Sequence, residues 1–327
     1  MKTKIVFIYP YLLIFIAFFT ISCASSDGGS SEDEDSTPVE FDYSEVIPLP
    51  DTGQGSSFTL QFGEDSDYTV YEPSYKDNSD DTISDNNTGL MWQKSNDDTP
   101  RTWSSAVTYC DSLTLAGHTD WRLPNIKELH SIGYYKASFD AINTNFFGGT
   151  RDKIWSNTLN ADSKPFYFST ALGYCDDLES SSQNYVHCVR GRDESEIWAH
   201  TYTDGNNETV FHKTTGLIWQ KTSSQENKTW EEAISYCENL TLADYDDWRL
   251  PNIKELFSLV KSESAEPAID QTYFPNTPEW GSFWSSTTQI DDTGSAWIVG
   301  ISDGSMLNGL KTDNYYYTRC VRRKQDP

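Results

Sequence analysis

The chain has 327 residues, room for about two domains once non-globular parts are set aside, and a formal net charge of −26. That charge argues against nucleic acid as a partner, because a phosphate backbone must be neutralised by Lys and Arg. With 11 Trp, 19 Tyr and 16 Phe on a polar background, the chain still has the apolar mass for a core. This composition suits a secreted, loop-rich α+β or β protein.

In chain order, residues 1–22 read as a targeting segment: Lys2 and Lys4, an apolar run from Ile5 to Phe19, then small residues. Thr20-Ile21-Ser22-Cys23 resembles a bacterial lipobox, with Cys23 as the lipidated residue and Thr20 where Leu is most usual. A plain transmembrane anchor is the alternative, since the apolar run is nearly long enough to span. The small residues beside Cys23 favour the lipid anchor. An exported lipoprotein is therefore expected, held to the outer membrane or cell surface. Residues 23–45 are rich in Ser, Gly and acid, and read as a disordered tether that cannot bury enough surface to offset ordering entropy.

From residue 46 the chain is duplicated. Residues 88–129 align without a gap to 215–256, and both stretches end in "DWRLPNIKEL". The register extends back to Tyr75 and Tyr202, and "IWSNT" at 154–158 answers "FWSST" at 283–287. Repeats of this size are tandem domains, because solenoid units are shorter; the expected spans are 46–192, with a leader, and 198–324. Each opens with a hairpin: "DNSDD" (77–81) and "DGNNE" (204–208) are turn-rich and followed by alternating residues. These turns also space oxygen atoms in a way Ca²⁺ could use, although Asx side chains stabilise plain turns of the same composition. Otherwise no cofactor or metal is expected.

The run from Thr102 to Cys110 has apolar residues at helical spacing, with Thr102 as N-cap. In the second copy Thr229 and Glu232 form a Thr-x-x-Glu capping box. "LPNIKEL" starts another helix, with Asn125 and Asn252 as N-caps and Glu128 and Glu255 at N3. Strand- and loop-like sequence follows, so each unit is α+β, with two early helices and a short-stranded mixed sheet.

Cys110 and Cys188 bracket the first unit, and Cys237 and Cys320 bracket the second in matching positions. Export makes these pairs the natural disulfides. A metal site is the other use of such cysteines, but no Cys-x-x-Cys spacing supports it. Cys175 has no counterpart and reads as a buried free thiol, with an intermolecular link as the alternative.

The order "TGLMWQK", "TWxxAxxYC", "DWRLPNxKEL", "WSS/WSN" and "CVR" resembles the Lcl C-terminal domain family, named for the C-terminal domain of the Legionella collagen-like adhesin. The leader at 49–69 also resembles the segment that precedes that domain. The resemblance covers nearly all of 46–324, as two copies, and is distantly similar to C-type lectin-like and formylglycine-generating-enzyme-like folds. It implies an α+β fold and adhesion through sulfated glycosaminoglycan. This chain has no collagen-like region and is strongly acidic.

No catalytic residue is assigned. None of the five His recurs in both units: His118 and His130 stand opposite Tyr245 and Phe257, leaving His187, His200 and His212 as isolated candidates. No reactive Cys pair stands late in either unit. The repeated acids Asp120/Asp247 and Glu128/Glu255 read as braces, with Asp120 and Asp247 holding Arg122 and Arg249, two residues on, or bonding nearby backbone. Candidate ligand contacts are aromatic: Phe146, Phe147, Tyr167, Tyr174, Trp280, Trp297, Tyr315 and Tyr316, in the variable back halves. The favoured reading is non-enzymatic binding of carbohydrate or of a cell-surface or matrix protein. A structural or envelope-assembly protein is second and a carboxylate-dependent hydrolase third.

Overall fold

The computed structural model describes residues 39–324, apart from 69–70, 137–140, 150–151, 193–197, 263 and 265. The expected signal segment 1–22, the expected lipidation site Cys23 and the expected tether up to residue 38 lie outside the described residues. The first half has strands β1 (Tyr75–Asp77), β2 (Thr82–Asp85) and β3 (Met91–Gln93) and helices α1 (Trp103–Ser112) and α2 (Ile126–Ser131). Strands β4 (Lys153–Leu159), β5 (Pro165–Ser169), β6 (Cys175–Asp177) and β7 (Val189–Arg190) complete it. The second half repeats this order with β8 (Tyr202–Asp204), β9 (Thr209–His212), β10 (Leu217–Gln220), α3 (Trp230–Glu238) and α4 (Ile253–Ser258). It closes with β11 (Ser282–Thr288), β12 (Ser295–Gly300), β13 (Met306–Leu310) and β14 (Val321–Arg323).

In each half the last strand returns to pair with the third, giving the orders β1-β2-β3-β7 and β8-β9-β10-β14. The middle strands form a separate three-stranded sheet, β4-β5-β6 or β11-β12-β13. Every ladder between these strands is antiparallel, so the expected mixed sheet is corrected; among the described residues parallel pairing survives only as isolated bridges such as Ile154–Tyr185 and Phe283–Tyr317. Short connections favour that outcome for the strands consecutive in sequence, because a parallel neighbour needs a long crossover; the β3–β7 and β10–β14 pairs are antiparallel although about a hundred residues separate them.

Local chemistry sets the helix starts. Asn125 Oδ1 accepts from the Glu128 amide and Glu128 Oε2 accepts from the Asn125 amide, each at 2.8 Å, and Asn252 with Glu255 does the same. Thr229 and Glu232 also close a reciprocal box. Thr102 occupies the N-cap position but makes no cap bond; its hydroxyl donates to Ser105 Oγ instead. The third helical residue there is Ser105, too short to reach back as Glu232 does.

The halves are joined by an isologous contact between α2 and α4, in which equivalent residues exchange partners. Lys127 Nζ donates to the Ser258 carbonyl at 3.1 Å, and Lys254 Nζ donates to the Ser131 carbonyl at 2.8 Å. His130 and Phe257, one repeat position, pack with ring centroids 4.7 Å apart. One apolar core then runs through both halves, including Trp92 and Leu129 from the first and Trp219 and Leu256 from the second, within a single compact unit spanning 38–327.

Two segments sit elsewhere than chain order suggests. Residues 39–45, the end of the expected tether, pack on the second half: Phe41 and Tyr43 lie 4.7 and 4.8 Å from the Phe211 ring. Those two aromatics give this short stretch the apolar area that its average composition conceals. The leader, grouped by order with the first unit, docks largely on the second. Asp65 Oδ2 accepts from Thr287 Oγ1 at 2.6 Å, Glu64 accepts from Thr288 Oγ1, and Gln61 reaches Ser235 at 2.7 Å. At the positions of Thr287 and Thr288 the first half has Thr158 and Leu159, and a leucine cannot donate to a buried carboxylate.

Candidate functional site

The repeated decapeptide is a joint. In the first copy Trp121 and Leu123 enter the core, while Glu128 accepts two bonds from the Arg122 guanidinium, at 2.8 and 2.6 Å, on top of its capping role. In the second, Arg249 and Glu255 make the same fork at 2.6 and 2.6 Å, with both residues buried. The expectation that Asp120 and Asp247 hold these arginines is corrected. Asp120 pairs with Arg190 at 2.8 and 3.0 Å, and Asp247 with Arg322 at 2.6 and 3.0 Å, so each Asp ties the decapeptide to the last strand. The N3 glutamates already occupy the nearer arginines, and a bidentate carboxylate saturates one edge of a guanidinium.

Disulfides Cys110–Cys188 and Cys237–Cys320 bridge the first helix of each half to the segment entering its last strand, with Cα atoms 5.6 and 5.4 Å apart. Two such bonds belong to an oxidising, extracytoplasmic compartment. Cys175 is a buried free thiol, and burial pushes its pKa up, which keeps it unreactive. Burial also holds His130, His187 and His212 in the neutral form, His212 down to about 3. His200 is likewise pushed down, with Lys127 adding to the effect.

In the hairpin turns the carboxylates serve the backbone. Asp77 accepts from the Ser79 amide and pairs with Lys94; Asp204 accepts from the Asn206 amide and pairs with Lys221.

The aromatic candidates divide sharply. Phe147, Tyr167 and Trp297 are core residues. Phe146 packs on Tyr75, Tyr174 on Tyr167, and Tyr316 on Trp284. Only Trp280 and Tyr315 are open to solvent, at 73% and 68% exposure.

A roomier concavity with aromatic walls is an open cleft of about 520 Å³ on the second half. It lies between the 39–43 segment, the β8–β9 turn and the loop leading to Trp248. Phe41, Tyr43 and Tyr245 supply ring surface, Asn207 an amide, and Glu40, Asp244 and Asp246 carboxylates. Arg322, fixed by Asp247, lies 3.6 Å from the Tyr245 ring centroid, a cation–π contact that stiffens the wall. Sequence reasoning missed this site because a third of its lining, Val39, Glu40, Phe41 and Tyr43, comes from the expected tether. The available signal was Tyr245 itself, which interrupts the repeat opposite His118.

The family model for the Lcl C-terminal domain matches residues 81–190 and again 208–322. Comparison with curated proteins gave no match.

Proposed function

The chain belongs to the Lcl C-terminal domain family, carried twice in tandem, and on that premise we propose that it is a non-catalytic surface protein whose second half binds carbohydrate. The cleft at Tyr245 carries the reading. Ring faces beside amide and carboxylate groups match the alternating apolar and hydroxylated surfaces of a sugar, in a volume typical of small-ligand sites. The lipobox-like Thr20-Ile21-Ser22-Cys23 and the acidic stretch after it would hold the binding face off a membrane. The neutral, buried histidines support a binding role over acid–base catalysis.

A glycan array probed with the full chain, with and without chelator, tests this. Signal is expected on at least one glycan class, unaffected by chelator and lost in Tyr245→Ala. Silence across neutral, acidic and sulfated glycans would sink it. The second reading, assembly with another envelope protein, draws on β13, an edge strand that exposes Leu307 and Leu310. That reading predicts array silence together with a stable protein complex.

A further inference from the structure

A second open cleft, of about 430 Å³, lies beside the first. Asn207 lines one and its chain neighbour Glu208 the other, so the β8–β9 turn contributes to the walls of both clefts. The loop after α3 is shared in the same way, with Leu242 facing one cleft and Asp244 the other. The second cleft is walled by Thr222, Ser223, Gln225, Glu208, Glu226 and Tyr236. Ser223 is only 3% exposed, and its hydroxyl has no hydrogen-bond partner. Buried polar groups are almost always paired, so this one points to a ligand able to meet it.

The first half carries the same backbone here and fills it differently. Arg101 and Lys228 are equivalent: Asn184 and Tyr316 carbonyls accept their amides, and Trp155 and Trp284 indoles donate to their carbonyls. Arg101, however, forks onto Asp97 at 2.8 and 2.5 Å and lies 4.0 Å from the Tyr109 ring centroid. Asp97 corresponds to Ser224, which has no charge to recruit Lys228; that ammonium stays 5.0 Å from the Tyr236 ring. Asn96, the counterpart of Ser223, is engaged by His187 at 3.5 Å and by the Asp98 amide at 3.1 Å. A charge-paired plug, the Asp97–Arg101 fork, covers the first half's ring, whereas in the second half Lys228 alone lies over the ring.

We propose that the two clefts are adjacent subsites of one groove, which takes an interior stretch of an uncharged polysaccharide. The proposal rests on the carbohydrate reading above. Hydroxyl, amide and carboxylate groups suit sugar hydroxyls. Glu40, Asp244 and Asp246 in one subsite and Glu208 and Glu226 in the other form no salt bridge among the described residues, and they outnumber the cations Arg322, Lys324 and Lys228 that line the same clefts, a balance that disfavours a polyanion.

The test is an array displaying neutral backbones each as a disaccharide and as a hexasaccharide, beside sulfated chains. It is probed with the full chain and two variants. Hexasaccharides should bind about tenfold or more tighter than disaccharides of the same backbone, since the second subsite is engaged intramolecularly. Grafting the plug, Ser224→Asp with Lys228→Arg, should remove that gain. Ser223→Ala should weaken the hexasaccharide while leaving the melting temperature unchanged, because the deleted hydroxyl has no partner in the fold. Equal binding of both lengths, preference for sulfated chains, or hexasaccharide binding untouched by both variants would overturn the proposal. If Tyr245→Ala still abolishes binding in those cases, the carbohydrate reading stands without it; silence on the whole array sinks both.

Discussion

The Arg–Glu fork of the first decapeptide and that of the second have the same residues, spacing and caps, yet they sit in different surroundings. The Arg122 side chain is 22% exposed, whereas Arg249 is 7% exposed, with its guanidinium 5.3 Å from the Tyr68 ring centroid of the leader. The leader folds over the second half, inserts Asp65 beside Thr287, and leaves the first half's equivalent surface to polar helix residues such as Ser104 and Thr108. One motif thus yields two energetic situations. The difference lies in what a third, unrepeated segment covers, because desolvation of an ion pair depends on everything packed around it.

That comparison can be broken most directly at the glutamates. Glu255→Ala strands a buried guanidinium and should destabilise by about 3–5 kcal/mol in urea unfolding, whereas Glu128→Ala should cost clearly less, since Arg122 reaches water. Equal losses would show that the leader contributes nothing to the asymmetry. A pH experiment sharpens it. Burial, with Asp51 nearby, pushes the Asp65 carboxyl up to about 7. Folded Asp65 therefore keeps its proton where the unfolded chain has lost it. Its contribution is complete below the ordinary carboxylate pKa and fades as pH rises towards about 7, by at most about 1.4 kcal/mol per pH unit. Asp65→Asn should flatten that decline when stability is followed across pH 4 to 7; a variant with the wild-type slope would refute the assignment. The smallest effect tests the part the halves share: Asn125→Ala and Asn252→Ala should each cost about 1 kcal/mol, equally, and leave glycan binding intact. Loss of binding without loss of stability would make the joint a site.

Buried position 187/319 teaches a related lesson. His187 and Arg319 both approach the carbonyl of the equivalent glutamine, Gln93 at 3.1 Å and Gln220 at 2.8 Å. Two side chains of different charge do one positional task, and burial moves both towards neutrality, Arg319 down to about 9.

By itself the sequence determined whatever depends on short spacing or exact repetition. The duplication, the helix starts at Asn125 and Asn252, and the cysteine pairing were all legible, because a cap and its N3 partner are three residues apart and matched cysteines bracket matched units. Only the tertiary structure decided which arginine each aspartate holds, since Arg190 is 70 residues from Asp120. It also decided that Lys127 and Lys254 reach across to clasp the two halves. The binding face followed the same rule. Tyr245 is one divergent letter in a repeat, and it becomes a cleft wall only because Phe41 and Tyr43, some two hundred residues earlier, fold back onto Phe211. Contacts between distant segments depend on complementary surfaces that form only after each half has folded, and no local pattern records them.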